Sequence, residues 1–161
     1  MTKVLGIDPG THRVGWGLID GTVTKQRHLA SGCIEVPPLT ELGSYLQNLH
    51  SQVSLLLKTH QPELVAVEKL FFQKNVKTAI TVSQARGVIL LAIAENNIPY
   101  AEYSPNTIKS VVTGNGQSDK KTVERMVRLL LGVNTPSVDD TSDALAIAIT
   151  GLIYAKKEKS L

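Results

Sequence analysis

The run Lys3-Val4-Leu5-Gly6-Ile7-Asp8, stopped by Pro9-Gly10, and the run Arg13-Val14-Gly15-Trp16-Gly17-Leu18-Ile19-Asp20, followed by Gly21, decide the fold of this chain. The first is short, apolar and β-branched, so it reads as a buried strand. The second sets small residues between large ones and ends on Asp20-Gly21, a strong short-range hairpin signal. A third strand runs loosely from Thr22 to Val36 and ends at Pro37-Pro38. The chain therefore opens as a three-stranded antiparallel meander.

Downstream the period changes. Leu42, Leu46, Leu49, Val53, Leu56 and Leu57 predict a helix with one apolar stripe, capped by Thr40 and ended by Gln61-Pro62. Glu63–Glu68 is a fourth strand, apolar and again ending in a carboxylate. From about Val76 to Asn96 a helix is apolar almost all round, which predicts burial on two sides. Ile98–Tyr103 is a fifth strand, Thr107–Val112 a short helix, and Gly114-Asn115-Gly116 a loop. A helix over Lys120–Leu131 closes at Gly132, and Asp139 or Asp140 opens a last helix to about Lys157. The result is an α/β fold: a five-stranded mixed sheet with helices on both faces, one domain over residues 1–161, with a frayed basic tail from about residue 156. A right-handed crossover lays strand four parallel to strand one. Open sheets of this kind place their sites at the carboxyl ends of strands, where Asp8 and Glu68 arrive.

Composition narrows the class. A chain of 161 residues, 42% hydrophobic and 19% charged, is an ordinary globular sequence. Its longest apolar runs, Gly87–Ala94 and Ala144–Ala155, fall short of the ~18 residues of a spanning helix. Asp8 comes too soon for a signal-peptide core, and the lone Cys33 excludes an internal disulfide and a multi-cysteine zinc site. The expected location is the cytoplasm, with the thiol reduced. Net charge is +3, from 17 Lys and Arg against 14 Asp and Glu. No acid lies between Glu68 and Glu95, whereas Lys69, Lys74, Lys77 and Arg86 do, and Lys109, Lys120, Lys121, Arg125 and Arg128 form a second basic stretch. Charge alone leaves open whether these are solvated faces or surfaces for a polyanion.

The acids carry more. Asp8 and Glu68 end strands too apolar to lie on a surface, and Asp139, Asp140 and Asp143 start a helix whose body, Ala144-Leu145-Ala146-Ile147-Ala148-Ile149, faces a core. Each acid alone has an ordinary role as a turn residue, a strand end or a helix-terminus charge. Gathered at one partly buried point they could not all stay ionised without a cation. Oxygen-only ligands point to Mg²⁺ or Mn²⁺, and two such ions are a device for phosphodiester displacement. Asp143 lies on one helix face with both Asp139 and Asp140, and spacing does not choose between them.

Four motifs then occur in order: Gly6-Ile7-Asp8-Pro9-Gly10-Thr11, Ala66-Val67-Glu68 with Leu70-Phe71-Phe72-Gln73-Lys74-Asn75, Gln84-Ala85-Arg86-Gly87-Val88, and Asp139 through Thr150. Together they resemble RuvC, the family of bacterial Holliday-junction resolvases, over nearly the whole chain. The resemblance implies an RNase H-like fold and a homodimer. It implies Mg²⁺-dependent, paired, symmetric nicks in a four-way DNA junction, leaving 5′-phosphate and 3′-hydroxyl ends. The family's acidic ligands map onto Asp8, Glu68, Asp140 and Asp143, holding two Mg²⁺ with Mn²⁺ as a substitute. Its loop lysine maps onto Lys120, with Lys121 beside it, and its second lysine onto Lys109. The junction-probing aromatic matches Phe71, with Phe72 next to it, in a loop flanked by Lys74. Residues 78–96 resemble the dimer-interface helix, and Arg86 would support DNA or the interface. RuvA and RuvB are the implied partners.

Setting aside the four metal-binding acids raises the formal charge from +3 to +7 per subunit, which suits two phosphate backbones. Two rivals share parts of the pattern. Another RNase H-like nuclease would keep the acids. An actin- or sugar-kinase-type ATPase shares the Asp-Pro-Gly-Thr opening but requires a second domain.

Overall fold

The computed structural model describes residues 1–35, 37, 41–70, 76–133 and 141–158. Strands β1 (Thr2–Asp8), β2 (Arg13–Gly21) and β3 (Gln26–Glu35) form the meander, followed by α1 (Leu42–His60), β4 (Leu64–Glu68), α2 (Val76–Glu95) and β5 (Tyr100–Tyr103). Helices α3 (Pro105–Thr113), α4 (Lys120–Leu131) and α5 (Ser142–Glu158) complete the chain. The sheet order is β3-β2-β1-β4-β5, with β1–β2 and β2–β3 antiparallel and β1–β4 and β4–β5 parallel. This is the mixed five-stranded sheet that the apolar pattern predicts.

Side-chain alternation sorts the strands between two cores. Leu5, Ile7, Val65 and Val67 point to one face and pack with Leu49, Val53 and Leu57 of α1 and Ile89 and Ile93 of α2. Val4 and Ala66 point to the other, against α3, α4 and α5. Helix α5 lies across β1, β2 and β4, and its run from Ala144 to Ile149 is buried. The approach is close because Gly6 carries no side chain: a Cβ there would stand 2.0 Å from the Ala144 carbonyl oxygen and 2.6 Å from the Ala148 nitrogen. Gly6, Asp8, Ala66 and Glu68 share one parity, so the glycine that admits α5 and the acids beyond it belong to one face.

Several local readings shift. The β2–β3 turn is not at Asp20-Gly21 but at Thr22–Lys25, closed by Thr22 N–H to Lys25 O at 2.8 Å and Lys25 N–H to Thr22 O at 3.3 Å. Asp20 stays in the strand because Arg27 on β3 clamps its carboxylate at 3.1 and 2.8 Å. Glu41, not Thr40, caps α1, accepting from Gly43 and Ser44 N–H. Pro105 at the first position of α3 and the Ser104 cap start that helix earlier than Thr107. The last helix runs to Glu158, where fraying is expected from residue 156. Helix α2 is not covered on two sides within one chain: Ile80 and Leu91 are half-exposed, and Leu55 of the neighbouring α1 is exposed. Among the described residues no helix is long and apolar enough to cross a membrane.

Candidate active site

Asp8 ends β1 and Glu68 ends β4, and the two strands run parallel with Ile7 level with Val67. The carboxylates therefore leave the same edge of the sheet, side by side. Asp143 comes to them from the first turn of α5, seated by the Gly6 contact. Lys120 begins α4, whose cap is the Asp119 carboxylate accepting from Thr122 N–H at 2.8 Å. Lys109 reaches in from α3.

These five side chains line one cleft of about 280 Å³, walled by Pro105, Ile108, Val123, Ala146 and Ile147. Lys120 Nζ stands 3.5 Å from Asp143 Oδ2. Burial pushes the Asp8 carboxyl up to about 6; the nearby Asp143 charge adds to this and Lys120 opposes it. Glu68 is pushed up to about 7, first by burial, then by Asp8 and Asp143, with Lys109 opposing. Burial first, and neighbouring acids second, thus raise both carboxyls more than the lysines lower them, which is the electrostatic state a divalent cation relieves. Among the described residues no three acids close into a tight cage around one ion. An open, carboxylate-lined cleft still suits Mg²⁺, which keeps several waters and takes one or two carboxylates plus phosphate oxygens.

Other expected site residues lie elsewhere. Lys121 is exposed on α4, outside the cleft lining. Arg86 forms an ion pair with Glu102 of β5. Glu102 is level with Val67, on the α1–α2 face, so the guanidinium sits across the sheet from the cleft. Phe71, Phe72, Lys74, Asp139 and Asp140 fall outside the described residues.

The apolar walls were not marked in the sequence as site residues. Ile108, Val123 and Ile147 read only as core positions, and their place beside the acids depends on how α3, α4 and α5 pack.

The family model described as "Crossover junction endodeoxyribonuclease RuvC" matches residues 4–151. The chain is 45% identical over 153 residues to the crossover junction endodeoxyribonuclease RuvC of Moorella thermoacetica, covering 94% of this chain and 92% of that protein. It is 46% identical over 147 residues to the protein of the same name from Heliobacterium modesticaldum, covering 91% of each. In structure it is similar to Thermus thermophilus RuvC in complex with a Holliday junction substrate, with a TM-score of 0.91, 33% identity, and 98% and 97% of the two chains covered.

Proposed function

The chain belongs to the RuvC family of crossover junction endodeoxyribonucleases, and from that premise we propose that it resolves four-way DNA junctions by paired symmetric nicks, leaving 5′-phosphate and 3′-hydroxyl ends. One observation carries the reading: Asp8, Glu68, Asp143, Lys109 and Lys120, scattered over the sequence, line a single cleft.

Asp8, Glu68 and Asp143, together with Asp140, would hold two Mg²⁺, with Mn²⁺ able to substitute. When bound, the ions supply Lewis-acid chemistry at the phosphodiester. The protein's own groups do the rest. Asp8 and Glu68 are fixed by strands buried on both faces, so the ligands need no reorganisation. Lys120, mostly solvent-facing, offers an ammonium to charge developing on the scissile phosphate. Lys109 holds the backbone beside Glu68. Phe71 and Phe72 would stack on bases at the open branch point, with Lys74 on phosphate. Lys121 extends the basic surface.

A homodimer supplies two such sites. The half-exposed Ile80 and Leu91 on α2, with Leu55 on α1, are apolar surface that a second copy would cover. Two sites at fixed separation bind a junction by its shape. The whole chain acts as one domain in the cytoplasm, alongside RuvA and RuvB.

The test is incubation of the protein with a labelled immobile four-way junction, a linear duplex and an RNA–DNA hybrid, each with Mg²⁺ and with EDTA. Symmetric nicks confined to the junction and to Mg²⁺ are expected. Preferential cutting of the hybrid would instead favour another RNase H-like nuclease.

A further inference from the structure

A second groove of about 590 Å³ adjoins the catalytic cleft and shares Glu68, Pro105 and Lys109 with it. Its remaining lining is Lys69, Leu70, Ser104, Asn106 and Gln117. The volume lies within the ~300–1,000 Å³ of clefts that enclose small molecules. We propose that this groove seats the nucleotide next to the scissile phosphate, and that Asn106 and Gln117 read its base and so set the sequence preference of cleavage. The inference rests on the junction-cutting reading above and deepens it.

The polar groups divide by chemistry. Lys69 and Lys109 only donate and carry charge, which suits phosphate oxygens but discriminates no base. Ser104 is already used: its hydroxyl meets Thr107 Oγ1 at 2.8 Å and accepts from Thr107 N–H at 3.2 Å. Asn106 and Gln117 are exposed, and among the described residues neither side-chain amide makes a hydrogen bond. An amide presents donors and an acceptor together, the combination that pairs with a base edge. These are the two uncharged groups in the groove left available for that task.

The backbone that carries the two amides is ordered by local contacts. Asn106 is in the first turn of α3. Gln117 is on the loop that follows the helix, and that loop is tied internally. Thr113 Oγ1 donates to the Asn115 carbonyl at 3.0 Å and lies 2.7 Å from Ser118 Oγ, while Gln117 N–H donates to Asn115 Oδ1 at 3.0 Å. At Gly116 a Cβ would stand 2.9 Å from Ser110 Oγ and 3.2 Å from the Asn106 carbonyl oxygen. The bare glycine lets the loop close on α3 and brings Gln117 beside Asn106. A polar site built to hydrogen-bond a base rejects one that leaves its groups unpaired more strongly than an apolar pocket rejects a misfit. An open branch point supplies what a duplex withholds, a nucleotide free to leave the stack.

The test uses the full chain, Mg²⁺ and a junction library randomised at the nucleotides flanking the cut, with products read by sequencing. Wild type is compared with Asn106→Ala/Gln117→Ala and with Gln117→Glu, and melting temperatures verify that all three fold. Wild type is expected to favour particular bases at one flanking position. The double alanine variant should lose about tenfold of that discrimination. Gln117→Glu, which keeps the shape but only accepts, should redirect the preference toward bases that present a donor. An unchanged profile in both variants, or no preference in wild type, overturns the inference. Absence of any nicking by wild type overturns the junction-cutting reading itself, and is distinguishable because no products form.

Discussion

Lys120 Nζ lies 3.5 Å from Asp143 Oδ2, joining the first turn of α4 to the first turn of α5 at the mouth of the cleft. The lysine side chain is 68% exposed and the aspartate 48%, so the pair adds little to stability. Its consequence is electrostatic, because the ammonium also opposes the upward push on Asp8. Lys120→Ala is therefore expected to slow junction cleavage by about 10²-fold, measured in single-turnover assays. The same variant should change stability by no more than about 0.5 kcal/mol. A large fall in melting temperature with normal cleavage would make Lys120 a structural residue.

Asp8 and Glu68 predict how the metal-free protein responds to pH. Their folded-state values of about 6 and about 7 lie above the ordinary 3.8 and 4.5. The folded chain thus keeps protons that the unfolded chain has released, and stability falls as pH rises through this window. The contribution is fully present below about pH 4 and is lost above about pH 7, a change on the order of a few kcal/mol for the coupled pair. Urea denaturation in EDTA at pH 5 and pH 8 measures it. Excess Mg²⁺ at pH 8 should restore the loss; a stability indifferent to both pH and Mg²⁺ would contradict a repulsive, cation-binding site.

Replacing Asp8 with Asn separates ligation from folding. The amide keeps the size of the carboxyl but carries no charge, so it removes a buried repulsion and a metal ligand together. Nicking should be abolished, junction binding should persist because the basic surface is intact, and the EDTA form should be more stable at pH 8 by about 1–3 kcal/mol. Gel-shift, cleavage and denaturation assays on one preparation resolve the three effects. Normal cleavage by this variant would remove Asp8 from the site.

Gly6→Ala tests the packing that brings Asp143 to Asp8. The added methyl would meet the Ala144 carbonyl oxygen and the Ala148 nitrogen, backbone atoms that cannot rotate away. Helix α5 must shift off β1, at a cost of about 1–3 kcal/mol or more. Both the midpoint of denaturation and the cleavage rate should fall. Retained cleavage with retained stability would show that α5 tolerates displacement.

Much of this was legible in the linear chain. Short continuous apolar runs ending in Asp8 and Glu68 reveal strands whose faces are buried, and the apolar run after Asp143 reveals a core helix. The helix over Lys120–Leu131 with its Gly132 end is written in local chemistry alone and appears unchanged. Asp20-Gly21 misled because both residues stay in β2, where Asp20 pairs with Arg27 of the adjacent strand, and the turn lies at Thr22–Lys25. The ion pair of Arg86 with Glu102 was not legible for a similar reason, since β5 supplies the partner from another part of the chain. Asn106 and Gln117 carried no signal, since single polar residues in a helix start and a loop fit any surface.

By itself, then, the order of residues determined which segments are strands and helices, which acids cannot lie on a surface, and which family the motifs resemble. These follow from local periodicity and from the cost of burying charge. Only the tertiary structure decided that Asp8, Glu68, Asp143 and Lys120 share a cleft, that Arg86 pairs with Glu102, and that two amides line a groove with Glu68. Distances between residues far apart in sequence depend on how closely α5 settles on β1 at Gly6, and no local pattern encodes that approach.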